Sequence, residues 1–167
     1  PRAAVEEDGL ILILRGVNLN PDADPEDMVS LRLWVSERLV ISTRIRRLMA
    51  VTAVAEQMAS GSGPASPAHL VATLSAGLTH RMAPVVAGLA DEAADLEERS
   101  VDGPAGLRGE LAHLRRTAIA LRRYVAPQRE ALARLYQEAH PLFDADARSA
   151  LRETADLLVG KIPYNGE

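Results

Sequence analysis

The chain of 167 residues contains no cysteine. A disulfide scaffold, thiol catalysis and a Cys-ligated metal site are therefore excluded. Aromatic residues make up only 3% of the sequence, which argues against an aromatic surface that stacks on nucleic-acid bases. The formal net charge of -4 also argues against nucleic acid as a partner, because domains that bind it are usually basic.

Long apolar runs and catalytic motifs are missing as well. The longest unbroken apolar run is residues 10–14, whereas a helix that crosses a bilayer needs about 20 apolar residues. The sequence has no Gly-rich phosphate loop, no nucleophile elbow and no histidine placed beside a serine and an aspartate. Because 47% of the residues are nevertheless apolar, the composition predicts a folded domain. The missing catalytic motifs predict that this domain is not an enzyme.

The first third of the chain has the patterns of β-strands. The apolar run at residues 10–14 predicts a strand that is buried on both faces. Residues 29–36 alternate between apolar and polar side chains, and residues 39–45 continue this alternation after a short turn. Residues 29–36 and 39–45 are therefore predicted to form a β-hairpin.

The remainder of the chain has helical periodicity. Residues 48–58 predict a short helix, and Ser66 followed by Pro67 predicts the capped start of a long one. A heptad seam of apolar residues begins at Leu107, and Pro127 is expected to divide that region into two helices.

These patterns predict one α/β (α+β) domain over residues 1–167. Its parts are a sheet-containing segment at 9–60, long antiparallel helices at 66–140 and a last helix at 144–160. Residues 161–167 interrupt the helical pattern with proline and glycine and are interpreted as a possible appended tail.

The densest group of metal-ligating residue types is His140, Asp144 and Asp146. Three oxygen or nitrogen donors in one short segment can hold a divalent cation such as Zn²⁺ or Mg²⁺. The alternative interpretation is helix capping, in which one aspartate accepts hydrogen bonds from free backbone N–H groups and the other interacts with the helix dipole. No firm cofactor follows from the sequence.

Two other charged segments are candidate binding sites. The acidic stretch at residues 22–27 lacks the glycine and terminal glutamate of an EF-hand, so a solvated loop is expected there. The pairs at residues 115–116 and 122–123 are arginines one heptad apart. They would attract an anion or an acidic partner, or they form a solvated helix face.

Four strings of the sequence together resemble the cytoplasmic domain of the CorA-like metal-ion transporters, in the zinc-transport branch called ZntB. They are LRGVNLNP at residues 14–21, PEDMVSLRLW at 25–34, RMAPVV at 81–86 and YVAPQREAL at 124–132. The tripeptide at residues 16–18 spells Gly-Val-Asn, a signature of the family's pore entrance, but it follows a strand here and is interpreted as a coincidence.

The resemblance implies more than the residues show. It implies an α/β/α sandwich with a small mixed sheet, and a last helix that begins the stalk leading to the membrane. It also implies a parent protein that is a homopentamer in the bacterial inner membrane, with this domain on the cytoplasmic face, although the fragment itself could be a soluble monomer or dimer. The function implied is regulation and assembly of a divalent-cation transporter, with zinc as the expected ion. The alternative is a stand-alone helical interaction or sensor protein.

Overall fold

The computed structural model describes residues 1–101, 107–137 and 141–160. A small β-sheet comes first and is followed by one short and three longer helices. In chain order the elements are β1 (Arg2–Glu6), β2 (Gly9–Gly16), β3 (Val29–Val35), β4 (Val40–Thr43), α1 (Met49–Ala59), α2 (Pro67–Val101), α3 (Leu107–Gln137) and α4 (Ala145–Gly160).

The four described strands form one sheet in the order β1-β2-β3-β4, and every pairing is antiparallel. The expected sheet-plus-helix class is confirmed, but the mixed sheet is corrected to an antiparallel one. For two of the three pairings the reason is the length of the connection: residues 7–8 join β1 to β2 and residues 36–39 join β3 to β4. A parallel pairing requires a crossover of about a dozen residues or more, which these turns cannot provide.

Helices cover one face of this sheet. Leu10, Leu12 and Leu14 are 0% exposed on that face, where they join the core formed with the helices. Ile11 lies on the opposite face and is 37% exposed, so the prediction that residues 10–14 are buried on both faces was wrong. The described residues thus supply two of the three layers of the expected sandwich.

The opposite face, here called the open face, carries apolar side chains in one cross-strand row. Ala4, Ile11, Trp34 and Ile41 lie side by side in the register of the four strands. None of these side chains is fully buried within the described part of the chain. A solvated sheet face usually carries polar residues, so this apolar row is unusual for a face exposed to solvent.

The strand β1 was not predicted, because the sheet-containing segment was expected to start at residue 9. Its sequence, RAAVE, contains one β-branched residue and two alanines, so its intrinsic preference for the strand conformation is low. It is held in place by pairing with β2, where Ala3 lies opposite Leu12.

The helix α3 runs unbroken through Pro127, which corrects the prediction of two helices. A proline inside a helix removes one hydrogen bond and costs about 3 kcal/mol. Leu121 and Val125 before it and Leu132 and Leu135 after it are all buried in the main core. Each such side chain contributes about 1.5–3 kcal/mol, so the shared core outweighs the cost of the proline.

The helices α2 and α3 form an antiparallel pair that is closed at its tip by an ion pair. Both terminal nitrogens of Arg99 donate to the carboxylate of Glu110, at 2.7 and 2.9 Å. These hydrogen bonds and the charge of Arg99 lower the pKa of Glu110. Because this carboxyl is deprotonated more readily in the folded chain, its contribution to stability is present near neutral pH and is lost as pH falls through the lowered pKa.

A pair of glycine substitutions tests the packing of the fold. A Cβ added at Gly9 would lie 2.4 Å from the carbonyl oxygen of Val35, so Gly9→Ala must displace backbone. We expect it to lower the free energy of unfolding by about 1–3 kcal/mol. Nothing lies within 4 Å of a Cβ at Gly88 inside α2, so Gly88→Ala should raise that free energy by about 1 kcal/mol. Urea unfolding at constant m-value measures both, and equal effects would contradict this packing.

Candidate functional site

The start of α4 is organised by Asp144. Its Oδ1 accepts a hydrogen bond of 2.8 Å from the backbone N–H of Ala147, and its carbonyl oxygen accepts one of 3.1 Å from the N–H of Arg148. This is the geometry of a helix N-cap, in which a side chain accepts from an otherwise free N–H of the first turn. The capping interpretation of this segment is therefore confirmed for Asp144.

The predicted cation ligands are only partly within the described residues. Asp144 and Asp146 are both exposed at the start of α4, whereas His140 lies outside the described ranges. The sequence did not predict that His69, near the start of α2, would place its Nε2 3.8 Å from Oδ1 of Asp144. Within residues 1–101, 107–137 and 141–160, no three metal-ligating side chains form a group. The site made of His140, Asp144 and Asp146 stays a prediction.

The acidic stretch at residues 22–27 belongs to the loop between β2 and β3. Its Glu26 accepts a hydrogen bond of 2.9 Å from the hydroxyl of Thr117 on α3. Asp22 has a positive φ of 57°, and the N–H of Asp27 donates to the carbonyl oxygen of Asp24 at 3.0 Å. These contacts fold the stretch into turns, as expected for a loop, and attach it to α3.

The structure shows a junction between sheet and helix that sequence reasoning missed. The backbone N–H of Arg15 donates to Oε1 of Gln128 at 2.6 Å, and its guanidinium donates to the carbonyl oxygen of Met28 at 2.9 Å. The same guanidinium lies over the ring of Tyr124, 4.6 Å from its centre, which is a cation–π contact. These four residues, Arg15, Met28, Tyr124 and Gln128, are called the Arg15 junction below.

The position of Gln128 in the sequence was a usable signal. Gln128 occupies the heptad position after Val125, where an apolar residue is expected. The structure buries this polar side chain at that position, where it is only 1% exposed. A buried amide must find partners. The partner is available because β1 pairs with β2 only as far as Ile13, so that Arg15 lies beyond the end of β1.

A cavity of about 490 Å³ adjoins the Arg15 junction on the side of the open face. Arginines and carboxylates both line it, including Arg32 and Arg46 and the acidic Glu26 and Asp27. Because the two charge signs are mixed, the cavity does not select for an anion or for a cation alone. It contains no arrangement of nucleophile, base and oxyanion donors.

Among the described residues, no helix combines the length and the apolar character needed to cross a bilayer. Of the described helices, α2 and α3 are long enough, but both carry many charged residues.

The sequence model of the family described as "CorA-like Mg2+ transporter protein" matches residues 1–160. The chain therefore belongs to the CorA-like family, which is a family of transporters. Among individual relatives, it is similar to the zinc transport protein ZntB of Yersinia pestis, with 35% identity over 151 residues that cover 90% of this chain and 46% of the relative. ZntB of Klebsiella pneumoniae is 35% identical over 158 residues, or 95% of this chain and 48% of the relative.

Solved structures agree with this assignment. The full-length CmaX protein shares 36% identity with a TM-score of 0.88, over 97% of this chain and 50% of that one. The ZntB cytoplasmic domain from Vibrio parahaemolyticus has a TM-score of 0.73 at 23% identity, over 97% of this chain and 68% of that one, which supports the fold. The predicted resemblance is confirmed. The chain spans about half the length of the curated relatives it matches.

Replacement of Gln128 tests the Arg15 junction. Gln128→Ala leaves the N–H of Arg15 without its acceptor, and we expect a loss of about 1–3 kcal/mol in the free energy of unfolding. Hydrogen exchange at the Arg15 amide should accelerate as well. Gln137→Ala, at an exposed position of the same helix, is the matched control and should change stability by less than about 0.5 kcal/mol. Equal losses in the two variants would show that the junction contributes nothing.

Substitutions at Asp144 separate capping from cation binding. Asp144→Ala should lower the free energy of unfolding by about 1 kcal/mol, whereas Asp144→Ser retains a capping oxygen and should lower it much less. Glu153→Ala, exposed on the same helix, is the control. The predicted cation site requires that Zn²⁺ raise the Tm of the wild-type chain and that Asp144→Ser abolish this shift. A wild-type Tm that does not respond to excess Zn²⁺ would contradict the site.

Proposed function

We propose that the chain is the cytoplasmic regulatory and assembly domain of a CorA-like divalent-cation transporter that carries zinc. The single observation that carries this proposal is the family match over residues 1–160. The 35% identity to a zinc transport protein named ZntB supports the choice of ion. The parent protein is proposed to be a homopentamer in the bacterial inner membrane. Nucleic acid is not a partner in this proposal.

The role of the domain would be to pass a cytosolic signal to the membrane part through α4. The helix lies against both α2 and α3, and its side chains Ala147, Leu151, Ala155 and Leu158 are buried in the common core. Because a packed core is not continuously deformable, a rotation of the sheet and its helices carries α4 with it. Regulation further requires a bound species whose affinity differs between two pore states.

A second candidate function is that of a stand-alone interaction protein. The reading frame beyond this chain distinguishes it from the transporter and is the first test. The transporter proposal requires that the reading frame beyond this chain encode two apolar spans of about 20 residues each. A reading frame without such spans would contradict the transporter and favour the stand-alone protein.

Transport measured in vesicles is the second step. We expect the purified full-length protein to assemble as a pentamer in native mass spectrometry and to admit Zn²⁺ into proteoliposomes faster than empty vesicles do. Vesicles that admit Mg²⁺ but not Zn²⁺ would refute the choice of ion and leave the family role in place.

The coupling role of α4 requires a variant of its own. Leu151 is 0% exposed. Leu151→Ala should lower the free energy of unfolding by about 2–5 kcal/mol by weakening the packing of α4, and it should alter the rate of Zn²⁺ entry. Leu157→Ala, at a 39% exposed position of the same helix, is the control and should leave the rate unchanged. Identical rates in both variants would refute coupling through this helix.

A further inference from the structure

The helices α2 and α3 carry charge of opposite sign over their exposed turns. Residues 91–98 of α2 include five carboxylates and no cation, whereas residues 115–123 of α3 include four arginines and no carboxylate. A solvated helix usually mixes both signs, because neighbouring charges of one sign repel each other. The fold of the single chain does not account for this separation of charge between the two helices.

Two stripes of exposed side chains, one on each helix, share the spacing i, i+3 and i+7. The acidic stripe of α2 is Asp91, Ala94 and Glu98, and the basic stripe of α3 is Arg116, Ile119 and Arg123. Residues at this spacing lie on one side of a helix. Each stripe therefore presents one uncharged side chain between two charges of the same sign. In the basic stripe that side chain is Ile119, which is 58% exposed.

The two stripes lie on opposite outer flanks of the hairpin formed by α2 and α3. Each stripe surrounds a buried leucine at the same sequence offsets: Leu96 of α2 is 1% exposed and Leu121 of α3 is 2% exposed. Since each residue turns a helix by about 100°, the stripe residues lie roughly opposite these leucines. Leu121 lines the space between the helices together with Val86 and Leu89 of α2. The buried leucines mark the inner side of the hairpin, and the stripes point away from it.

The stripes also overlap in height along the hairpin. Arg99 of α2 and Glu110 of α3 mark one level, because two hydrogen bonds join their side chains. Counted from that level at a rise of about 1.5 Å per residue, Asp91 and Arg116 lie within about 3 Å of the same height. A second hairpin placed beside the first in the same orientation would therefore bring an acidic stripe against a basic stripe.

The charges of the stripes have no ion-pair partner in the part of the chain that the structure describes. The ion pairs found there join other residues. Arg123 makes only a contact with the ring of Tyr124, whose centre lies 5.7 Å from its guanidinium carbon. Both stripes are thus available to a partner of opposite charge.

We propose that the acidic stripe of α2 binds the basic stripe of α3 on a neighbouring copy of the same chain. The inference rests on the proposed function, in which identical subunits surround one pore. The contact is head-to-tail, since each copy offers a different flank to each of its two neighbours, and such a contact closes into a ring when its rotation allows. The small side chain of Ala94 leaves room for Ile119, whose burial adds an apolar contact between the charge pairs.

The role of this contact is to orient neighbouring subunits. Exposed ion pairs are individually weak, so the stripes do not supply the energy of assembly. They do discriminate between arrangements, because two acidic or two basic flanks placed side by side repel each other. Every subunit is therefore placed with its α2 beside the α3 of the next one, in the same rotational sense around the ring.

Disulfide formation in the full-length protein tests the contact. Residues 1–167 contribute no cysteine, and any cysteine elsewhere is replaced by serine. After mild oxidation, Ala94→Cys combined with Ile119→Cys should give a ladder of covalent oligomers larger than a dimer on a non-reducing gel. Each single variant is a matched control and should stay monomeric on that gel, because a head-to-tail contact does not bring a residue against its own copy.

Charge reversal in the same double-cysteine protein shows whether the stripes specify the contact. Arg116→Glu with Arg123→Glu should abolish the ladder, and adding Asp91→Arg with Glu98→Arg should restore it. All these positions are exposed, so the fold should tolerate the changes, and the restored ladder excludes misfolding as the cause of the loss.

A second charge reversal serves as the control for net charge. Arg38→Glu with Arg44→Glu changes the net charge by the same amount at exposed positions of the sheet-containing segment, away from the hairpin. This variant should form the same ladder as the double-cysteine protein without charge changes.

Three outcomes would overturn the inference. They are the absence of a ladder from the double-cysteine protein, a covalent dimer from either single-cysteine variant, which would indicate a two-fold contact, and a ladder that persists after reversal of the basic stripe alone. Zn²⁺ entry measured with the same samples separates the two proposals. Entry without a ladder refutes the contact between stripes alone, and a ladder without cation entry refutes the transporter alone.

Discussion

The burial of one sheet face under the long helices is the constraint on which the structure depends. Leu10, Leu12 and Leu14 of β2 and Leu31 of β3 are 0% exposed beneath α2 and α3. Because strand side chains alternate between faces, this burial fixes the register of the whole sheet, and a slip by one residue would expose all of them. The same core holds α4 against α2 and α3, so the sheet and the last helix belong to one packed body.

Much of the fold was predictable because its signals are local. The alternation at residues 29–36 and the cap at Ser66 predicted β3 and the start of α2, where the Ser66 hydroxyl accepts from the N–H of His69 at 3.2 Å. Two of the failures, at β1 and at Pro127, have a common origin. In both places tertiary contacts outweigh the intrinsic preference of the local sequence: β1 depends on pairing with β2, and α3 continues because the core extends on both sides of the proline.

The candidate site was less predictable, since its contacts join distant parts of the chain. Gln128 and Arg15 are 113 residues apart in sequence, and nothing in either segment alone indicates the other. The approach of His69 to Asp144 is of the same kind. Only the capping role of Asp144 was accessible, because it involves residues within one helical turn. The set His140, Asp144 and Asp146 stays a prediction, as one member lies outside the described residues.

The open face of the sheet has a practical consequence for studies of this domain. Its cross-strand row contains Trp34, which is the only tryptophan of the chain. The fluorescence of an indole ring shifts to shorter wavelengths when water is removed from it. The emission spectrum is therefore an intrinsic reporter of contact at this face: whatever covers Ile11 and Ile41 must also dry the ring between them, and no dye has to be attached to detect it.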